Sequence, residues 1–201
     1  MSKSKKAKPK QLELFELKKY SRVFGGLLLQ NRRRAMRPLS THEALHVVLR
    51  SSWANGRYSM LRFGRTKNIS KIIESTAKRY GVTIYALAVC GNHIHCLVRF
   101  SQRVLYKNFI RVSTGRIAEL VMGTTYKEFR QIHPNPQTTE PQGIGQRFFQ
   151  YRPFTRVVHW GRDYKFCKAY IGQNILEALG FVPFRPRKDR YRSWVESGYK
   201  T

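Results

Sequence analysis

The stretch Gly91-Asn92-His93-Ile94-His95-Cys96-Leu97-Val98 places two histidines two residues apart inside an apolar, β-branched run. In a β-strand, residues i and i+2 point to the same face of the sheet. His93 and His95 are therefore predicted to project together, while Ile94 and Cys96 face the opposite layer. Two neighbouring imidazoles form a natural pair of metal ligands, although His-x-His pairs in half-buried strands also occur without a metal.

The composition points to a nucleic-acid partner. The chain of 201 residues carries 39 Lys and Arg against 11 Asp and Glu, which gives a net charge of +28. An imbalance of this size favours a polyanion, most often nucleic acid. No basic amphipathic helix stands out, so we expect no membrane partner. The acidic residues are scattered, which argues against a nuclease that holds two metal ions with carboxylates.

The cysteines bear on the cellular compartment. Cys90, Cys96 and Cys167 are an odd number and include no Cys-x-x-Cys pair. This pattern argues against a disulfide framework and against a zinc ribbon, and it favours a reducing compartment.

The periodicity predicts an α+β fold. Apolar and turn residues predict the order strand, helix, strand, strand, helix, strand, helix. This order matches a ferredoxin-like split βαβ, with an antiparallel sheet, helices on one face and a C-terminal helix that carries a tyrosine. The predicted elements are strands over 44–52, 82–89 and 93–100, a strand-like stretch over 147–160, and helices from 68 or 70 to 81, over 102–122 and over 163–179.

Three regions are predicted along the chain. Residues 1–40 are expected to be a basic N-terminal arm, 41–182 the catalytic domain and 183–201 a basic tail, with a loop over 123–145 inside the domain. His42 and His46, which flank the start of the first strand, are expected to be ordinary surface or edge residues.

The last predicted helix carries the remaining candidate site residues. Tyr170 and Asn174 are four residues apart and share one face, beside an apolar stripe. Gly172 weakens a helix, so we expect another group to approach it closely. Two imidazoles and one amide oxygen, from Asn174 or alternatively Gln173, would form an open site suited to Mg²⁺ or Mn²⁺. A tyrosine hydroxyl beside such a site can attack a phosphodiester.

Taken together, these residues resemble the single-tyrosine HUH-superfamily transposases, in particular the REP-associated tyrosine transposases and the related insertion-sequence transposases. The resemblance lies in His93-Ile94-His95 on a strand, followed by a helix with Tyr170-Ile171-Gly172-Gln173-Asn174. It runs from about residue 45 to about residue 182. The chain departs from the family pattern at Cys90-Gly91-Asn92, where Met-Pro-Asn is common, and at Ile175, where Pro is frequent.

The resemblance implies that His93, His95 and Asn174 bind the metal and that Tyr170 is the nucleophile. It also implies cleavage of single-stranded DNA beside a hairpin, either terminal or REP-like, through a 5′-phosphotyrosine intermediate. The protein would be a monomer or a homodimer in a prokaryotic cytoplasm, associated with the nucleoid. Rival nucleophiles are Tyr126, Tyr151 and Tyr164.

The DNA would be held by basic residues interleaved with aromatic rings, because cations hold phosphates while rings stack bases. An alternative class is a non-catalytic or domesticated nucleic-acid-binding protein on the same scaffold, in which the histidines are structural. The predicted DNA-binding residues are Arg32, Arg33, Arg34, Arg37, Arg147, Arg152 and Arg156.

Overall fold

The computed structural model describes residues 23–25, 37–125, 128, 148–149 and 152–183. Two short 3-10 turns, Gly56–Tyr58 and Arg62–Gly64, lead into the first helix. None of the helices in these ranges is long and apolar enough to cross a bilayer. The strands and helices are β1 (Val23–Phe24), β2 (Ala44–Arg50), α1 (Arg65–Arg79), β3 (Val82–Val89), β4 (His93–Phe100), α2 (Arg103–Met122), β5 (Phe154–Val158) and α3 (Arg162–Ala178).

The strands form one sheet in the order β1-β5-β2-β4-β3, in which every neighbouring pair is antiparallel. The connection from β2 through α1 to β3 skips β4, and the connection from β4 through α2 to β5 skips β2. Two interlocked β-α-β units of this kind define the ferredoxin-like split βαβ arrangement. The predicted α+β fold class is confirmed.

One face of the sheet carries the main hydrophobic core, which α1 and α2 cover. Alternate residues of β2 and β4 point into this core. The buried residues of α1 recur at helical spacing, so one stripe of the helix faces the sheet. Fully buried members of this core include Leu45, Val47, Ile69, Ile73, Ile94, Val98, Phe109 and Ile117.

The opposite face is covered by α3. The alternation that sends Ile94 into the main core sends His93 and His95 toward α3. Helices α1 and α2 therefore lie on one face of the sheet, and the C-terminal helix α3 lies on the other. A smaller apolar cluster joins α3 to the sheet through Ala44, Ala88, Leu97, Val158, Cys167 and Ile171.

The sheet includes a strand that the sequence analysis did not predict. Val23 and Phe24 pair with β5 at the sheet edge. Arg37 Nη1 donates to the Pro153 carbonyl at 2.8 Å and to Thr155 Oγ1 at 2.7 Å, and its guanidinium lies 4.3 Å from the centre of the Phe24 ring. Part of the predicted arm is therefore built into the sheet or bound to its edge, and residues 1–22 and 26–36 of it lie outside the described residues.

Some element boundaries differ from the prediction. α1 begins at Arg65, directly after Gly64, whose φ of +68° turns the chain into the helix. α3 begins at Arg162, so Asp163 lies inside the first turn rather than at the cap. The predicted loop over 123–145 and the predicted tail over 183–201 lie almost wholly outside the described residues.

Candidate functional site

β4 places both predicted ligand histidines on the face that α3 covers. The ring centroids of His93 and His95 are 4.8 Å apart, and Ile94 between them lies in the main core. His93 is half-buried with Nδ1 2.8 Å from Asn92 Oδ1, and His95 is buried. Two imidazoles at this separation can share one divalent cation.

A third histidine completes the cluster. The His46 ring stacks on the His95 ring with centroids 5.2 Å apart, and His46 Nε2 lies 3.0 Å from His95 Nδ1. His46 is buried, so the expectation that it is an ordinary surface or edge residue was wrong. The reason is the strand register: Val48 lies opposite His95 and His46 opposite Leu97, which puts both histidines on one face in adjacent strands.

Burial keeps His46 neutral. It lowers the pKa of this side chain to about 3, with a smaller contribution from the positive charge of Arg156. A neutral imidazole has one donor and one acceptor nitrogen, so His46 Nε2 can accept a hydrogen bond from His95 Nδ1–H. That bond would direct His95 Nε2 toward a cation, and hydrogen bonds of this kind commonly orient metal-binding histidines.

α3 brings Tyr170 next to these histidines. The Tyr170 ring centroid lies 5.4 Å from that of His95 and 6.1 Å from that of His46, edge-on in both cases. The helix is anchored at its first turn, where Asp163 Oδ1 lies 2.8 Å from Arg156 Nη1 on β5. The structure therefore places a phenol and the imidazole pair in one cluster.

Asn174 lies on the turn of α3 that follows Tyr170, and it is buried. Its Nδ2 donates to the Tyr170 backbone carbonyl at 2.6 Å, which leaves the amide oxygen as its acceptor atom. Gln173 is exposed, and its Nε2 donates to Glu177 Oε1 at 2.9 Å. Of the two amides that the sequence left open, Asn174 lies on the buried side of the helix.

Among the rival nucleophiles, Tyr164 lies in a separate aromatic cluster near the start of α3. Its ring centroid is 5.5 Å from that of Tyr85 and 5.0 Å from that of Trp160. Tyr126 and Tyr151 lie outside the described residues.

Gly172 does not serve the purpose predicted for it. A Cβ built at this position would meet no atom of the described residues within 4 Å. The expected close approach is therefore not made by any described part of the chain.

Two arginines of the predicted DNA-binding group have partners within the chain. Arg37 binds the β5 edge, and Arg156 Nη1 lies 2.8 and 3.0 Å from the two carboxylate oxygens of Asp163. Arg152 is exposed. The remaining predicted residues, Arg32, Arg33, Arg34 and Arg147, lie outside the described residues.

One exposed cation beside the site was missed. Arg50 lies directly opposite His93 in the β2–β4 register and belongs to the same alternating set as His46. Arg50 occupies the last position of β2, and this position indicates a role in the site only when the pairing of β2 with β4 is known.

Comparison with known proteins gives one family match. Residues 41–138 match the family described as IS200-like transposases. No curated protein matches the chain. The match ends before β5 and α3, so the tyrosine helix lies beyond it.

Two solved structures are similar to the chain at low identity. A REP-associated tyrosine transposase bound to a REP hairpin has a TM-score of 0.47 and 13% identity, over 83% of this chain and 88% of that chain. A protein from Deinococcus radiodurans R1, provisionally named a transposase, has a TM-score of 0.42 and 15% identity, over 71% of this chain and 98% of that chain. Residues 41–138, just under half of the chain, match the IS200-like transposase family, and this match confirms the resemblance seen in the sequence.

Proposed function

We propose that this chain is a metal-dependent single-stranded DNA endonuclease and strand transferase whose nucleophile is Tyr170. The observation that carries the proposal is the position of the Tyr170 ring, 5.4 Å from that of His95, on the face of the sheet away from the main core. The transposase family of residues 41–138 supports a reaction on DNA. The net charge of +28 supports a polyanionic substrate.

His93, His95 and Asn174 would hold one Mg²⁺ or Mn²⁺. Two ring nitrogens and one amide oxygen leave coordination positions for water and for a phosphate oxygen. The contact of 3.0 Å between His46 and His95 supports this assignment, because it holds one of the two imidazoles in a single orientation. The chemistry that such an ion supplies is polarisation of a non-bridging oxygen of the scissile phosphodiester.

The Tyr170 phenol would attack the phosphorus in line with the departing 3′ oxygen. A bond forms between Tyr170 Oη and phosphorus while the bond to the 3′ oxygen breaks. The phenol loses its proton and the 3′ oxygen gains one, so the products are a 5′-phosphotyrosine and a free 3′-hydroxyl. Because one phosphodiester replaces another, a second 3′-hydroxyl can reverse the step without ATP and thereby join two strands.

Arg50 would bind a phosphate next to the reacting one. It is exposed, and it lies across the β2–β4 pair from His93. A guanidinium donates parallel hydrogen bonds to two phosphate oxygens, which fixes orientation as well as charge. Most of the DNA affinity would come from such phosphate contacts spread over the basic chain, including the exposed Arg152.

The test is a covalent-adduct assay on a denaturing gel. Single-stranded DNA that contains a hairpin from the sequence flanking the coding region is labelled on the 3′ side of the cleavage region and incubated with the protein and Mg²⁺ or Mn²⁺. The parent protein should form a labelled adduct that survives denaturation, and Tyr170→Phe should form none. Tyr164→Phe is the matched control, because it also removes one hydroxyl from α3 and keeps the ring contacts with Tyr85 and Trp160.

Hairpin binding is measured in parallel by fluorescence anisotropy, and Tyr170→Phe should bind as the parent does. An adduct that persists in Tyr170→Phe would reassign the nucleophile. A parent protein that binds the hairpin with either metal ion but forms no adduct would favour the non-catalytic nucleic-acid-binding protein.

A further inference from the structure

A thiol lies beside the imidazole pair. One ring nitrogen each of His93 and His95 and the Sγ of Cys90 all lie within 4.8 Å of one another. Cys90 follows β3 and faces His93 across the β3–β4 connection, where its backbone N donates to the His93 carbonyl at 2.9 Å. It lies two residues after Ala88, which packs against α3, so Cys90 belongs to the same face.

We infer that Cys90, His93 and His95 form a second, softer metal site that binds Zn²⁺ or a similar cation. One thiolate and two imidazoles are a ligand set typical of zinc, whereas Mg²⁺ prefers oxygen ligands. Zn–S and Zn–N bonds of about 2.3 and 2.1 Å require ligand atoms about 3.5 Å apart in a tetrahedron. Side-chain rotations that move the ligand atoms by about 1 Å would therefore bring all three within bonding distance of the ion.

The two metal sites would exclude each other. Both use His93 and His95, so an ion bound with Cys90 prevents the pair from joining Asn174 around Mg²⁺ or Mn²⁺. The inference uses the imidazole pair and does not depend on Tyr170 or on DNA cleavage. Zinc would accordingly displace Mn²⁺ from the protein, and the displacement would depend on the Cys90 thiol.

The other two cysteines serve as controls. Cys96 is buried in the main core on the opposite face of β4. Cys167 is buried between α3 and the sheet, next to Ile171. Neither belongs to the cluster of ligand atoms around the histidines.

Co²⁺ replaces Zn²⁺ in the first measurement, because a cobalt–thiolate bond absorbs strongly in the near ultraviolet. The parent chain of 201 residues, without DNA, should show this absorption, and excess Zn²⁺ should abolish it. Cys90→Ser should lose the band, while Cys167→Ser should keep it. Zn²⁺ affinity, measured by competition with Mn²⁺ followed by electron paramagnetic resonance, should fall about ten-fold or more in Cys90→Ser, while Mn²⁺ affinity changes little.

A second measurement needs no variant. Zn²⁺ should slow the alkylation of Cys90 in the parent protein and leave Cys96 and Cys167 unaffected, as read by mass spectrometry of the peptides. Absence of the cobalt band in the parent, a band unchanged in Cys90→Ser, or alkylation of Cys90 that Zn²⁺ does not slow would overturn the inference. A failure of the adduct assay alone would leave it standing.

Discussion

The two faces of the sheet are made by alternate residues of the same strands, yet they differ in chemistry. Ile94 and Cys96 enter a large apolar core under α1 and α2, whereas His93 and His95 meet polar and aromatic groups under α3. The apolar cluster on the α3 face is smaller. If the larger core supplies most of the stability and the α3 face carries the proposed reactive groups, substitutions on the two faces should have separable effects.

The largest effect is expected from removing the imidazole pair. In His93→Ala with His95→Ala, adduct formation should fall about 10³-fold or more, because the metal ion would lose two of its three protein ligands. Hairpin affinity, measured by anisotropy at a fixed salt concentration, should stay within about two-fold, since it comes mainly from Lys and Arg contacts to phosphates. A steep loss of affinity in this variant would mean that the histidines hold the structure or the DNA rather than a catalytic ion.

Between these two histidines, Ile94→Ala tests the other face. Ile94 is fully buried in the main core, so the substitution should lower the free energy of unfolding by about 2–5 kcal/mol. Urea denaturation measures it, and His93→Ala is the neighbouring control on the half-buried polar side. If His93→Ala destabilises the protein as much as Ile94→Ala does, the claim that the main core supplies most of the stability is wrong.

A change of pH tests the α3 face of the sheet through the buried side chain of His46. Its pKa is about 3 in the folded protein and 6.5 as the reference value, so between these values the unfolded chain binds a proton that the folded chain does not. The stability from this group is therefore complete above pH 6.5 and decreases as the pH falls toward 3. The loss at pH 5 should be about 2 kcal/mol.

The measurement is urea unfolding of the metal-free protein at pH 7 and at pH 5. The parent should lose about 2 kcal/mol more than His46→Gln, which keeps a polar side chain but does not titrate. Equal losses in the two proteins would show that His46 is not held neutral by burial.

The smallest effect is expected at Gly172 on the outer part of α3. Gly172→Ala should raise the free energy of unfolding by about 0.5–1 kcal/mol, because the helix gains propensity and the new Cβ meets no described residue within 4 Å. Adduct formation should be unchanged. Loss of activity in this variant would indicate that DNA or a partner chain approaches the glycine closely.

Local pattern was sufficient to predict much of the fold. The His-x-His alternation, the stripe of α2 and the position of α3 follow from residues near one another in the sequence, and their observed bounds differ little from the prediction. The common orientation of His93 and His95 follows from the period of a strand alone. The presence of Tyr170 and Asn174 on one helical face likewise follows from a spacing of four.

The features that were missed depend on contacts between distant segments. His46 and Arg50 join the site only through the pairing of β4 with β2, which no single segment encodes. β1 is two residues long and lies beside β5, more than a hundred residues away, so it shows no periodicity of its own. When a site is assembled across strands, the register of the sheet determines which residues belong to the site.

The central claim is that the phenol beside the paired imidazoles is the nucleophile. The most direct measurement is mass spectrometry of the protein–DNA adduct after digestion with nuclease and protease. The account predicts a phosphonucleotide on the peptide that contains Tyr170, and none on Tyr164. A modified Tyr164, Tyr126 or Tyr151 with an unmodified Tyr170 would contradict it.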